Sequence, residues 1–289
     1  MTTAPVVLRD KRELRKQQAN KNRNGVAYVL LTLGSLVTVF PFLYQVAMSL
    51  STYAEITSTP PTFLPAAAQF SNYVKAFTAF PILAQMGSSV LVTVVRVAAH
   101  VILCSMAGYA FGRMQFRGRA IVFGALLSIL MVPSQVYLLP QYTIIQDLGL
   151  LDSYAGLVLP GLFSAFGIFL MSQAFQAIPR EIEEAARIDG ASQPRMFLGI
   201  MLPLVAPSLS ALVVTSTLFS WNELLWPLVV MSNPNRMPLS VGLANLQGLN
   251  FTDYGALMAA SSMAMAPILI MFLVFQKRVI NGLAAAELK

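Results

Sequence analysis

The stretch Glu183-Glu184-Ala185-Ala186-Arg187-Ile188-Asp189-Gly190-Ala191-Ser192 is charged, rich in alanine and interrupted by one glycine. It stands between long apolar segments, in a chain that is 56% hydrophobic and only 11% charged. Its local chemistry reads as helix, turn, helix. Glu181 to Arg187 are good helix formers, with acidic side chains near the start, where the helix dipole favours negative charge. Gly190 suits the left-handed position that ends a helix. Ser192 can then cap a second helix with Pro194 in its first turn, and Pro203 closes it. Glu181, Glu184 and Ile188 share one face by helical spacing. Ala185 and Ala186 allow a partner surface to approach closely. A docking element and an amphipathic helix lying on a membrane both fit this pattern.

The flanking segments decide the fold class. A soluble domain carries about 25% charged residues, well above the 11% here. A bilayer core needs roughly 20 apolar residues per helix. Six windows meet that length: 26–50, 86–110, 120–139, 154–175, 204–230 and 256–275. The expectation is an all-α membrane protein with six transmembrane helices and a cytoplasmic helix-turn-helix loop over about 176–203. A basic tail (1–25) precedes the span-bearing domain (26–276), and a short tail (277–289) follows it. The first window is too long for a signal peptide, and Phe40-Pro41-Phe42 offers no small-residue cleavage site.

Charge placement gives orientation. All but Lys75, Arg96 and Arg236 of the 19 basic residues fall on one side of a six-span chain. They occupy the N-terminal tail, the loops after spans two and four, and the C-terminal tail. Positive residues stay inside, so both termini and the 183–192 stretch are expected in the cytoplasm. Basic residues confined to span ends also argue against a nucleic-acid partner. A single cysteine, Cys104, and a single histidine, His100, leave no disulfide framework and little scope for a zinc site.

The spacing Glu184-Ala185-Ala186, Asp189-Gly190-Ala191, then Ile200, Leu202 and Pro203 resembles the EAA loop of ABC importer permeases. That motif reads E-A-A-x-x-x-G with I-x-L-P following, and nine residues separate Gly190 from Ile200 here. The segment Ser220-Trp221-Asn222-Glu223-Leu224-Leu225-Trp226-Pro227-Leu228 looks like the W-N-x-x-x-W-P stretch of carbohydrate importer permeases. Pro238 to Leu243 and Gln276 to Leu283 are similar to their outer loop and C-terminal tail. The tail departs from the maltose-type pattern after Leu283, reading Ala284-Ala285-Ala286-Glu287. The resemblance covers about residues 25–289. It implies a multi-pass permease subunit in a bacterial-type inner membrane, beside a second homologous permease. It also implies an extracytoplasmic binding protein and a cytoplasmic ATPase dimer that holds the ATP and magnesium, with no cofactor on this chain. By the resemblance Glu184 pairs with a basic group of the ATPase. The coupling set is then Glu181, Glu184, Ala185, Ala186, Asp189, Gly190, Ala191, Leu202 and Pro203.

Inside the spans Arg96 is the costliest residue, at roughly 2.5–3.5 kcal/mol for a central arginine. Ser89, Thr93, Arg96, His100 and Cys104 form one stripe on span two. The stripe fits a polar path or glue between helices. Glu223 on span five lies at a similar depth to Arg96, so the two are expected to pair. Trp221, Asn222 and Trp226 suit stacking and hydrogen bonding to a sugar, or an aromatic belt. Candidate pathway residues are Arg96, His100, Trp221, Asn222 and Glu223. The outer loop Ser232–Asp253 is the candidate contact for the binding protein.

Two rival classes are weighed. An ion-coupled transporter needs intramembrane carboxylates, and only Glu223 is available. An intramembrane enzyme has only His100 with Cys104 as a thiol–imidazole option. The chain has no G-x-x-x-x-G-K-[ST] loop, so ATP hydrolysis by that route needs a separate subunit. Glycerol 3-phosphate or a related phosphodiester is the alternative solute to a sugar.

Overall fold

The computed structural model describes residues 6–60, 62–79, 81–247 and 252–287, with side chains described within 25–273. The side chains of the basic N-terminal tail and of the tail 277–289 therefore lie outside the described residues. Every regular element among the described residues is helical. In chain order they are α1 (Val6–Ser49), α2 (Tyr53–Ile56), α3 (Ser71–Ala79), α4 (Ile82–Arg113), α5 (Arg119–Met131), α6 (Ser134–Asp147) and α7 (Tyr154–Gly161). There follow α8 (Ala165–Gln176), α9 (Arg180–Ile188), α10 (Gln193–Leu204), α11 (Ala206–Asn222), α12 (Leu225–Val230), α13 (Leu239–Asn245) and α14 (Tyr254–Glu287).

Three stretches are long and apolar enough to cross a bilayer unbroken: Ala27–Ser49, Ile82–Arg113 and Tyr254–Leu273. Bent helix pairs bring the number to six. The first span keeps none of its apolar window inside the protein, and Leu30, Val37 and Leu43 are exposed. Among lipid tails such a surface costs nothing, because the tails are as apolar as leucine.

The windows 120–139 and 204–230 are each interrupted rather than single continuous helices. Span three turns by 105° between α5 and α6. Val132 is extended there and Pro133 precedes α6, because a proline pushes the residue before it out of the helical region. Span five stops at Asn222, where Glu223 adopts an extended backbone (φ −65°, ψ 124°) before α12 resumes. The freed Glu223 carbonyl accepts a bond from Ser240 Oγ at 2.6 Å. Span four bends by 43° between α7 and α8. Ser164 caps the new helix by accepting from the Gly167 N–H at 2.8 Å.

Among the described residues three buried clusters hold the bundle: one joins Ala76, Ile82, Leu239, Ala259 and Ala260, and the other two flank the breaks in the spans. The inner one joins Tyr109, Met171, Phe175, Ala186, Met196 and Leu212, and so fastens the 180–204 loop to spans two, four and five. The outer one gathers Val92, Leu157, Trp226, Val230, Met237 and Val241. Between them the spans are interrupted, and the polar residues collect.

Candidate functional site

The loop 180–204 is a helical hairpin as its sequence implies. Gly190 has φ +75°. Its N–H donates to the Arg187 carbonyl at 3.0 Å, and the Ala191 N–H donates to the Ala186 carbonyl at 2.9 Å. This is a left-handed cap that satisfies carbonyls at the end of α9. A Cβ at Gly190 would meet nothing within 4 Å, so the backbone conformation alone demands glycine. Two details differ from expectation. Ser192 stands at the N-cap of α10, but its side chain makes no capping bond. Pro203 does not close α10, which runs to Leu204 and turns by 78° at Val205 into α11. A π turn over Phe197–Met201 precedes Pro203 and accommodates its missing N–H.

Glu181, Glu184, Ala185 and Asp189 are exposed on this loop, and Ile188 is 87% exposed. Ala186 is buried against the inner core, with Ala191 and Leu202 partly buried beside it, and Pro203 is exposed. One face of α9 is thus offered outward and the other is built in.

The built-in face carries a cluster that sequence reading missed. Glu183 Oε2 accepts from Arg113 Nε at 3.0 Å, with the two side chains only 12% and 5% exposed. Glu183 Oε1 accepts from the Tyr109 hydroxyl at 3.1 Å. A cleft of ≈ 430 Å³ opens beside them, lined by Arg113, Arg180, Glu183, Glu184 and Arg187 among others. Helical spacing places Glu183 with Ala186, away from Glu184. That is the one sequence signal for its inward direction.

The second site lies where three spans are broken. Arg96, His100, Asn222 and Glu223 line one cavity of ≈ 840 Å³ with Ser134, Ser216 and Gly161. Arg96 is 6% exposed. Its guanidinium forms an ion pair with Glu223 and donates to the Leu157 carbonyl. Gly161 makes room for it: a Cβ there would fall 2.8 Å from Arg96 Nε. His100 begins a π turn, His100–Cys104, inside span two. Its Nε2 faces the Gly161 carbonyl at 3.0 Å and so carries the proton, while Nδ1 meets Ser216 Oγ at 2.7 Å. Asn222 is exposed to the cavity and donates back to the Leu218 carbonyl at 2.9 Å.

Trp221 is not brought to this cavity. Its indole is 9% exposed and donates to the Ala264 carbonyl on α14 at 3.3 Å. Trp226 is likewise buried and donates to the Gly156 carbonyl at 3.1 Å. Buried indoles seek a hydrogen-bond acceptor, and for both it is backbone of a neighbouring helix. Within the stripe on span two, Ser89 accepts from the Leu239 N–H at 2.8 Å. Cys104 faces the Ser164 carbonyl at 3.8 Å, so thiol and imidazole have different partners. Among the described residues no cluster of three metal-ligating side chains forms.

Comparison with known proteins agrees with this architecture. The arabinooligosaccharides transport system permease protein AraQ of Halalkalibacterium halodurans is 34% identical over 267 residues, 90% of this chain and 96% of that protein. The sn-glycerol-3-phosphate transport system permease protein UgpE of Brucella suis is 30% identical over 273 residues, 91% of this chain and 97% of that protein. A solved chain described as a bacterial ABC transporter involved in the import of the acidic polysaccharide alginate aligns with TM-score 0.77 and 26% identity. It covers 90% of this chain and 97% of its own length. The family described as "Binding-protein-dependent transport system inner membrane component" matches residues 24–283. With six spans, a capped hairpin on α9 and α10 and that match over nearly its whole length, this chain belongs to the family of inner membrane permease components of ABC importers.

Proposed function

We propose that this permease passes a sugar or oligosaccharide, delivered by an extracytoplasmic binding protein, through a path that includes the Arg96–Glu223 cavity. ATP hydrolysis belongs to a separate cytoplasmic ATPase that holds the nucleotide and magnesium. The ATPase receives the outward face of α9, with Glu184 meeting a basic group and Gly190 setting the turn to α10. A second permease subunit completes the path. Both termini lie in the cytoplasm, and the outer loop Ser232–Asp253 meets the binding protein.

The observation that carries this reading is the two-sided α9. Its inner face is fixed into spans two and four, while Glu181, Glu184, Ala185 and Ile188 stand free on the other. An 87% exposed isoleucine beside two carboxylates fits a protein groove with basic groups. A neutral solute is favoured over a phosphorylated one because the Arg96 charge is already met by Glu223. The relative UgpE keeps glycerol 3-phosphate as the second reading. An ion-coupled mechanism is disfavoured on the same ground, since its one candidate carboxylate is held by Arg96.

Reconstitution tests the reading. Vesicles with the permease pair, ATPase and binding protein should take up labelled arabinooligosaccharide or lactose with ATP inside, and vanadate should stop it. Uptake that ignores ATP and follows an imposed ion gradient would overturn it. Uptake of glycerol 3-phosphate alone would install the second solute.

A further inference from the structure

One guanidinium joins three elements at the inner end of the bundle. Arg113 ends α4, and besides its bond to Glu183 on α9 it donates to two carbonyls. Nη1 reaches Ile178 O at 2.9 Å and Nη2 reaches Pro179 O at 3.2 Å. Ile178 and Pro179 form the link between α8 and α9. Tyr109, one turn back on α4, holds the other oxygen of Glu183. The same part of α4 meets α8 with no slack. A Cβ on Gly108 would lie 2.5 Å from Met171 Cβ, and one on Gly112 would lie 3.0 Å from the Ser172 carbonyl oxygen. Helices in backbone contact, tied by charge-assisted bonds, do not slide on one another.

This inner unit is bounded on both sides by irregular backbone. On span two the π turn His100–Cys104 lies just beyond it. On span four the break at 162–164 does the same. Cys104 touches the Ser164 carbonyl, so the two irregularities are level. His100, Gly161 and Ser164 also line the cavity. The unit therefore ends where the candidate path begins.

We propose that Arg113 and Glu183 are positioning residues for energy coupling. They make α9, Ser105–Arg113 of α4 and α8 one rigid body that swings about the π turn and the span-four break. A push on the outward face of α9 then reaches the segments that carry Arg96 and Gly161. The proposal rests on the importer reading above and adds the route by which force enters the bundle. An α9 tied only by its apolar face would tilt in place when pushed.

The test uses the full complex, in a Cys104→Ser background, with spin labels on exposed Ser192 and Gln173. A second pair, on Ser192 and Ser232, spans the hinge level. Distances are read without nucleotide and with ATP plus vanadate. In wild type the first distance stays fixed and the second shifts. In Arg113→Met and in Glu183→Ala the first distance shifts and broadens on adding nucleotide, and the second loses its shift. Glu183→Gln keeps an acceptor for Arg113 and retains the wild-type response. A fixed first distance with a full second shift in Arg113→Met and Glu183→Ala, ATPase still bound, overturns the proposal. So does loss of ATPase binding confined to those variants, which would make the cluster a support for docking alone. Absence of ATPase from the wild-type complex overturns the importer reading itself, and this proposal with it.

Discussion

Arg96 on span two and Glu223 at the break in span five form an ion pair between residues 127 positions apart in the chain. Arg96 is the more buried partner, with its side chain 7% exposed against 31% for Glu223. Removing one member of a buried pair leaves a charge without compensation, while removing both does not. Arg96→Met should therefore destabilise the folded chain by about 3 kcal/mol, the low end for such pairs because Glu223 opens onto the cavity. Glu223→Gln leaves the more buried Arg96 charge unmet and should cost at least as much. The double variant should cost less than the sum of the two, as read by thermal unfolding in detergent. Additive losses would show that the contact carries no coupling energy.

Gly108 lies against α8 so closely that even alanine has no room. Gly108→Ala should lower stability by about 1–3 kcal/mol, the usual cost of overpacking. Gly124, where a Cβ meets nothing within 4 Å, is the control and should tolerate alanine. Equal thermal stability of the two variants would contradict the close approach of α4 and α8.

Asp152 tests the tie between the α6–α7 turn and the segment after α12 through pH. It stands at φ +53° in the turn between α6 and α7. Its carboxylate accepts from the N–H groups of Ser232 and Asn233, both at 2.9 Å. The bonds from Asn233 and Ser232 hold its pKa below the ordinary value, with the Arg236 charge assisting. A depressed folded-state pKa means stability that is fully present above the unfolded value, about 3.9, and lost as pH falls through the folded one. Asp152→Asn keeps a residue that tolerates left-handed backbone. Wild type should melt higher than Asp152→Asn by a constant margin from neutral pH down to about pH 5, and the margin should shrink below about pH 4. A margin independent of pH would refute the carboxylate clamp.

How much of this was readable from sequence follows from what periodicity encodes. Apolar windows gave six crossings, and Gly190 with Pro194 gave the hairpin, because local chemistry fixes both. Pro133 announced a bend, but its size of 105° depends on what α6 packs against. The span-five break falls at Glu223, four residues before Pro227, which has no N–H to give the Glu223 carbonyl, a signal the sequence reading did not use. The carbonyl freed there is met by Ser240, which is distant in sequence. Helical spacing put Glu183 on the face of Ala186 and Glu184 on another, the one sequence signal of which carboxylate turns inward. The deciding partner, Arg113, lies 70 residues away. Trp221 read as a cavity residue through its neighbour Asn222, yet its indole turns to α14 while the Asn222 amide bonds back to its own helix.

The central claim is that the outward face of α9 receives an ATPase, and one pull-down tests it most directly. The tagged chain is expressed with its neighbouring transport subunits and purified in mild detergent, as wild type and as Glu184→Arg. Glu184 is exposed, and the substitution leaves the Arg113–Glu183 ion pair in place. The account predicts that wild type retains an ATPase subunit and that Glu184→Arg loses it by about tenfold or more, as reversing a partner-facing charge does. Recovery of no ATPase by wild type, or equal recovery by both forms, would contradict it.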